Sequence, residues 1–178
     1  MHQAILFDID GTLTGILTGE TFKKNPYDVI VLPGVEAGLK YYFHQVPGWL
    51  MIGISNQGGI DKGHKSIEDT IVEMKNTLEL LPWLSAIYFC PDLQGLNCWK
   101  VTNDSVVKMT NQSVKGKNFS KKNKYRKPGA GMIFQASLDF GIDLAQSYMI
   151  GDRPEDEQAA LAARVQFISA ENWRNKFC

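Results

Sequence analysis

QAILFDIDGTL, residues 3–13, sets a short apolar run against two carboxylates and a glycine. Gln3–Ile9 reads as a buried strand closed by acids. Residues two apart on a strand point the same way, so Asp8 and Asp10 share one side of its end. Gly11 then permits a turn. Two carboxylates held together repel, and a divalent cation would offset that cost. Mg²⁺ takes one or two carboxylates together with substrate oxygens and waters. The plain alternative is an Asp pair at a solvated turn.

Outward from this stretch, strands alternate with helices. Residues 13–32 mix Gly, Thr, Asn and Pro with β-branched residues and read as a hairpin or extended excursion. Val35, Leu39, Tyr42 and Val46 follow helical spacing. Residues 49–55 form a second buried strand. Ile67, Ile71, Met74, Leu78 and Leu81 mark an amphipathic helix ended by Pro82. Residues 85–90 make a third strand, and 92–127 are polar and carry no clear period. A helix is expected from Pro128 to about Phe140, capped by Gly141. A strand over 147–150, a helix over 154–163 and a strand over 165–168 complete the pattern. Such alternation predicts an α/β fold, a doubly wound parallel sheet in one domain spanning 1–178. Ligands of such folds sit beyond the carboxyl ends of the strands. Asp8 and Asp10, Ser55 and Asn56, and Gly151 and Asp152 all fall there.

Hydrophobic residues make up 44% and charged residues 21%, an ordinary globular balance. Nineteen Lys and Arg offset nineteen Asp and Glu, so no overall field favours nucleic acid or membrane. The charge is uneven, however: residues 100–127 hold nine basic residues and one acid, Asp104. Three cysteines, Cys90, Cys98 and Cys178, are too few for a disulfide scaffold. The N-terminus reads as neither a signal peptide nor a membrane span, and the cytoplasm is the expected compartment. The Asn-x-Ser sequons at Asn103, Asn111 and Asn118 are then chance matches.

Asp8-Ile9-Asp10-Gly11-Thr12-Leu13 resembles the first motif of the haloacid dehalogenase superfamily of phosphatases, and three further motifs follow in that family's order. Ser55-Asn56-Gln57-Gly58-Gly59 resembles the second, Arg126-Lys127-Pro128 the third and Gly151-Asp152-Arg153-Pro154-Glu155-Asp156 the fourth. The resemblance implies a Rossmann-like core and phosphoryl transfer through an aspartyl-phosphate. Asp8 would be the nucleophile. Asp10 would protonate the leaving oxygen and then deprotonate water. Mg²⁺ would be held by Asp8, the Asp10 carbonyl and Asp152. Ser55 and Lys127 would stabilise transition-state charge. Thr12, Asn56 and Arg126 are the expected substrate contacts. Asp156 is expected to hold Lys127 or a water rather than the metal.

About forty residues separate the first and second motifs, and about seventy separate Ser55 from Lys127. That leaves room for a small flap but not for a folded cap, so the site should be open. The second and third motifs resemble the group of histidinol-phosphate phosphatases, heptose-bisphosphate phosphatases and the 3′-phosphatase domain of polynucleotide kinases. Zinc loops of that group need a Cys-x-His and a Cys-x-Cys pair. Cys90 and Cys98 provide neither, and read as a core thiol and a loop thiol. Thr21-Phe22 with Asn25-Pro26-Tyr27-Asp28, and Tyr125–Gly129, resemble the 3′-phosphatases most closely. Lys115, Lys117, Lys121, Lys122, Lys124, Arg126 and Lys127 lead into the site and suit either a nucleic-acid 3′-phosphate end or a solvated loop that balances an acidic body. The expected function is therefore a Mg²⁺-dependent phosphomonoesterase, read as a polynucleotide 3′-phosphatase. The alternatives are a small-molecule phosphatase acting on histidinol phosphate or a sugar phosphate, and a phospho-ligand-binding module. Gly58–Ser66 nearly spells a P-loop, but His64 stands where the motif needs Lys, which removes that reading.

Overall fold

The computed structural model describes residues 1–111 and 123–178. Its elements run β1 (Ala4–Phe7), β2 (Thr14–Gly15), β3 (Ile30–Val31), α1 (Val35–Gln45), β4 (Leu50–Asn56), α2 (Ile67–Leu80) and β5 (Ala86–Cys90). They continue as β6 (Asn97–Val101), β7 (Val106–Thr110), α3 (Gly131–Phe140), β8 (Tyr148–Gly151), α4 (Pro154–Ala163), β9 (Gln166–Ser169) and α5 (Ala170–Arg174). The main sheet has the order β7-β6-β5-β4-β1-β8-β9. Strands β5, β4, β1, β8 and β9 are parallel, while β6 and β7 add an antiparallel edge.

β1 shows why the sheet is covered on both faces. Its alternate residues serve two separate cores. Ala4 and Leu6 join Ile52, Ile54, Met132, Ile133, Ala159 and Ala160 beneath α3 and α4. Ile5 and Phe7 join Leu39, Met74, Leu78 and Trp173 beneath α1, α2 and α5. Every residue of the strand is buried, as its unbroken apolar run requires. No helix among the described residues is long and apolar enough to cross a membrane.

The helical period through Ile71, Met74 and Leu78 becomes the inner face of α2, and Ser66 caps its start by accepting the Asp69 N–H at 2.9 Å. The excursion after β1 folds as the β2–β3 hairpin with a long loop. Asp28 braces that flap, taking hydrogen bonds from the Thr18 N–H and hydroxyl and from the Lys24 N–H.

Three elements differ from the sequence expectation. α3 starts at Gly131, not Pro128, because residues 126–129 form a turn closed by Gly129 N–H to Arg126 O at 2.8 Å. Gly131 also has to be glycine: a Cβ there would lie 2.6 Å from the Asn123 carbonyl oxygen. The segment without a clear period contains the β6–β7 hairpin, whose turn is tied by Thr102 and Ser105. Finally, α5 packs Trp173 edge-on against Phe7, centroids 5.1 Å apart.

Candidate active site

The first, second and fourth motifs end β1, β4 and β8, three neighbouring parallel strands, so the chain folds them to one sheet edge. The third motif arrives on the turn before α3. Asp8, Asp10, Ser55, Asn56, Arg126, Lys127, Arg153 and Asp156 line a cleft of about 710 Å³ there, and the flap contributes Thr21, Phe22 and Lys23.

Lys127 is the hinge of the arrangement. It is 3% exposed, and its Nζ lies 2.6 Å from Asp8 Oδ1, 2.6 Å from Asp156 Oδ1 and 2.8 Å from the Ile54 carbonyl. Burial would lower its pKa, but Asp8 and Asp156 outweigh burial and hold the ammonium charged. Asp156 is committed on its other oxygen too: Oδ2 accepts the N–H groups of Asp152 and Arg153 at 3.2 and 3.0 Å. It thus caps α4 and holds Lys127, the role expected of it.

Burial pushes Asp8 up to about 7, Lys127 opposes this, and the charges of Asp156 and Asp10 push the same way as burial. A cation beside Asp8 would restore the carboxylate. Oxygens of Asp8, Asp152 and Asp156 lie within 4.8 Å of one another. With Asp156 engaged by Lys127 and two backbone N–H groups, Asp8 and Asp152 remain to meet an ion. An all-oxygen carboxylate set suits a hard cation such as Mg²⁺. The fit is tight: a Cβ on Gly11 would fall 2.3 Å from Asp152 Oδ2.

Thr12 and Asn56, expected at the substrate, have their side chains engaged elsewhere. The Thr12 hydroxyl is buried, donating to Asp8 Oδ2 at 3.1 Å and lying 3.3 Å from Asp152 Oδ1. Both ends of the Asn56 amide bond the Lys127 main chain, Nδ2 to its carbonyl at 3.0 Å and Oδ1 from its N–H at 2.9 Å. Asn56 therefore positions the lysine turn. Arg126 does line the cleft, and its buried Nη1 has no hydrogen-bond partner among the described residues. Ser55 is buried and accepts from Gln57 Nε2 at 2.8 Å.

Sequence reasoning missed Lys23, Gln57, Lys65 and Glu73. Lys23 Nζ donates to Asp10 Oδ1, Gln57 Nε2 donates to Asp10 Oδ2 at 2.8 Å, and Glu73 receives Lys23 and Lys65. Burial raises the Asp10 carboxyl, but Lys23, Gln57 and Lys65 outweigh it and hold it below the usual range. The one available signal was the stripe Thr70, Glu73 and Thr77 beside the apolar face of α2. In sequence it looks like a solvated edge, whereas all three are buried. Arg174 was also missed: its Nη1 donates to the carbonyls of Gly11 and Thr12 at 2.9 and 2.8 Å, bracing the turn after β1 from α5.

Cys98 stands buried on β6, not in a loop, because the segment carrying it pairs with β5. Burial pushes the Cys90 thiol up to about 12 and Cys98 well above its ordinary value, so both behave as core thiols. Of the basic run, Lys115, Lys117, Lys121 and Lys122 lie outside the described residues.

Known proteins resemble this chain in sequence and in fold. A D-glycero-beta-D-manno-heptose-1,7-bisphosphate 7-phosphatase of Haemophilus ducreyi is 32% identical over 176 residues, covering 92% of this chain and 80% of that protein. Its namesake in Haemophilus influenzae is 30% identical over 175 residues, covering 93% and 79%. The crystal structure of D,D-heptose 1,7-bisphosphate phosphatase from B. bronchiseptica, complexed with magnesium and phosphate, shares the fold with a TM-score of 0.65 at 22% identity, covering 94% of this chain and 78% of its own. The family model described as polynucleotide kinase 3 phosphatase matches residues 3–168. With its four motifs gathered on one sheet edge, the chain belongs to that family of haloacid dehalogenase-superfamily phosphatases.

Proposed function

We propose that this phosphatase is a Mg²⁺-dependent phosphomonoesterase that forms an aspartyl-phosphate on Asp8 and acts on a small phosphorylated sugar of the bisphosphate class. The observation that carries the chemistry is Lys127, buried between Asp8 and Asp156 at 2.6 Å from each. It places a fixed positive charge beside the attacking oxygen, where a phosphoryl group's own charge must be met. Asp8 attacks phosphorus; the P–O bond to the leaving group breaks, and Asp10, ionised in the free protein and protonated from solvent when the anionic substrate binds, gives that oxygen a proton. Asp10 then takes a proton from water as the water's oxygen displaces Asp8 and releases phosphate. The Ser55 hydroxyl and the Lys127 ammonium hold the non-bridging oxygens. Asp8 and Asp152, with the Asp10 carbonyl, would hold Mg²⁺, which would supply Lewis-acid neutralisation of nucleophile and phosphate.

The substrate class rests on two supports. The relatives just described are named as phosphatases of a sugar bisphosphate and align over nearly the whole chain. Arg126 also lines the cleft, and its buried Nη1, without a hydrogen-bond partner among the described residues, is a donor for a second anionic group. These relatives favour the small-molecule alternative over the polynucleotide 3′ end read from the basic run. The test is kcat/KM for a heptose 1,7-bisphosphate, histidinol phosphate and a 3′-phosphorylated oligonucleotide at matched Mg²⁺. The sugar bisphosphate should lead by at least about tenfold, equivalent to ~1.4 kcal/mol of transition-state binding. A lead for the oligonucleotide would return the substrate to nucleic acid.

A further inference from the structure

Glu73 is the buried acid of α2, 2% exposed, whereas Glu68, Asp69 and Glu79 on the same helix face solvent. A carboxylate there is expensive unless paired. Its two oxygens are divided between two lysines from different segments: Oε1 takes Lys23 of the flap at 2.5 Å, and Oε2 takes Lys65 of the loop after β4 at 2.7 Å. Lys65 also donates to Gln57 Oε1 at 2.7 Å, and Gln57 Nε2 donates to Asp10 Oδ2 at 2.8 Å. Lys23 closes the circuit on Asp10 Oδ1. Asp10, Lys23, Glu73, Lys65 and Gln57 thus form a closed ring of charged and amide side chains, drawn from four segments of the chain.

Such a ring is a poor device for stability, since apolar side chains of similar volume often serve as well as buried ion pairs. It is a good device for orientation. The terminal torsion of an aspartate is broad and roughly two-fold, so fixing its plane takes a partner on each oxygen. Lysine alone cannot supply that, being a point charge on a flexible stem. Here each lysine is tethered at its far side by one oxygen of Glu73, and the Gln57 amide is held by Lys65. Glu73 does not line the cleft.

We propose that Glu73 is a positioning residue, which through Lys23 on one side and Lys65 and Gln57 on the other fixes the carboxylate of Asp10 toward the leaving oxygen. This rests on the reading of Asp10 as the group that moves protons to and from substrate oxygen. The ring also ties the flap to α2, so the acid and the flap are set by one contact.

The test is a double-mutant cycle read by leaving-group dependence. Glu73→Gln keeps the side-chain shape but leaves one lysine facing an amide N–H₂ group. Single-turnover phosphorylation of Asp8 is measured with aryl phosphates graded from good to poor leaving groups. An aryloxide that departs readily needs little protonation, whereas a poor one depends on Asp10. Glu73→Gln should slow the poorest substrates by about 10–100-fold and the best by less than about 3-fold, part of the ~10²–10⁴ that an acid/base group supplies. In an Asp10→Asn background the same substitution should cost less than about 2-fold, because residues that act through one another are not additive. Lys23→Met, on the flap, should reproduce the pattern and serves where Glu73→Gln does not fold. An equal loss for good and poor leaving groups, or an equal loss in both backgrounds, would overturn the positioning role and leave the phosphatase chemistry standing. If Asp10→Asn itself changed no rate, the proposed role of Asp10 would fall, and this inference with it.

Discussion

Replacing Gly11 by alanine separates two things that one glycine does. Its φ is +89°, a left-handed conformation that costs a residue with a Cβ about 1–2 kcal/mol. Its missing side chain also makes room for Asp152: the added Cβ would stand 2.3 Å from Oδ2 and 2.9 Å from Cγ. Ordinary contact begins about 1 Å further out, so the Asp152 carboxylate must swing away. Asp152 is exposed, and swinging it strands no buried group, so the folding cost should stay near the backbone term. For a chain of this size that is a fall in Tm of roughly 2–8 °C. Catalysis should suffer more, since a 1 Å displacement at a reacting centre costs about 10²-fold. Gly48→Ala is the matched control, with φ +91° and nothing within 4 Å of its added Cβ. The assay is thermal melting in chelator, with turnover titrated against Mg²⁺. Both variants should lose similar stability; only Gly11→Ala should need much more Mg²⁺ and turn over slowly. Normal Mg²⁺ dependence in Gly11→Ala would refute the placing of the ion between Asp8 and Asp152.

Lys127→Met leaves Asp8 and Asp156 buried without their shared cation and should lower kcat by about 10²–10³-fold, the usual worth of one donor to transition-state charge; a kcat within a factor of ten of wild type would count against the clamp. Asp139 accepts hydrogen bonds from Tyr88, Lys100 and Gln135, which outweigh burial and hold its carboxyl below the ordinary 3.8. A depressed pKa stabilises the fold at neutral pH and ceases to do so as pH falls through the folded value. Asp139 is exposed and solvent screens its partners, so urea unfolding of Asp139→Ala should show a loss of about 0.5–1 kcal/mol at pH near 7 that shrinks toward zero well below 3.8, and a loss independent of pH would contradict the assignment. Ile52→Ala, at a fully buried site of β4, should cost about 2–5 kcal/mol in the same assay, and a cost under 1 kcal/mol would mean the site collapses around the change.

The parallel core was readable because burial on both faces leaves unbroken apolar runs, such as Ala4–Phe7 and Ala86–Cys90, and these survive in one dimension. The β6–β7 edge was not, because β7 has no buried residue and its alternation is blurred by Lys108 and Thr110. Within the site, residues that must face the phosphate cluster at strand ends and so can be found by motif. Residues that act through other residues leave no such trace. Glu73 looks like one more acid on a polar helix edge, Lys23 like one of two adjacent flap lysines, and Lys65 like part of a spoiled P-loop. Asn56 shows the limit from the other side: the motif places it at the site, but only the fold reveals that its amide is turned to the Lys127 main chain.

The central claim is that Asp8 becomes covalently phosphorylated. Quenching the enzyme during turnover, in an Asp10→Asn variant that slows release, and reducing the acyl phosphate with borohydride converts a phosphorylated aspartate to homoserine. Peptide mass spectrometry should then find homoserine at position 8 in Mg²⁺ with substrate, and none in chelator or in Asp8→Asn. Substrate turned over with aspartate intact at position 8, or homoserine at Asp10 or Asp152, would contradict the account.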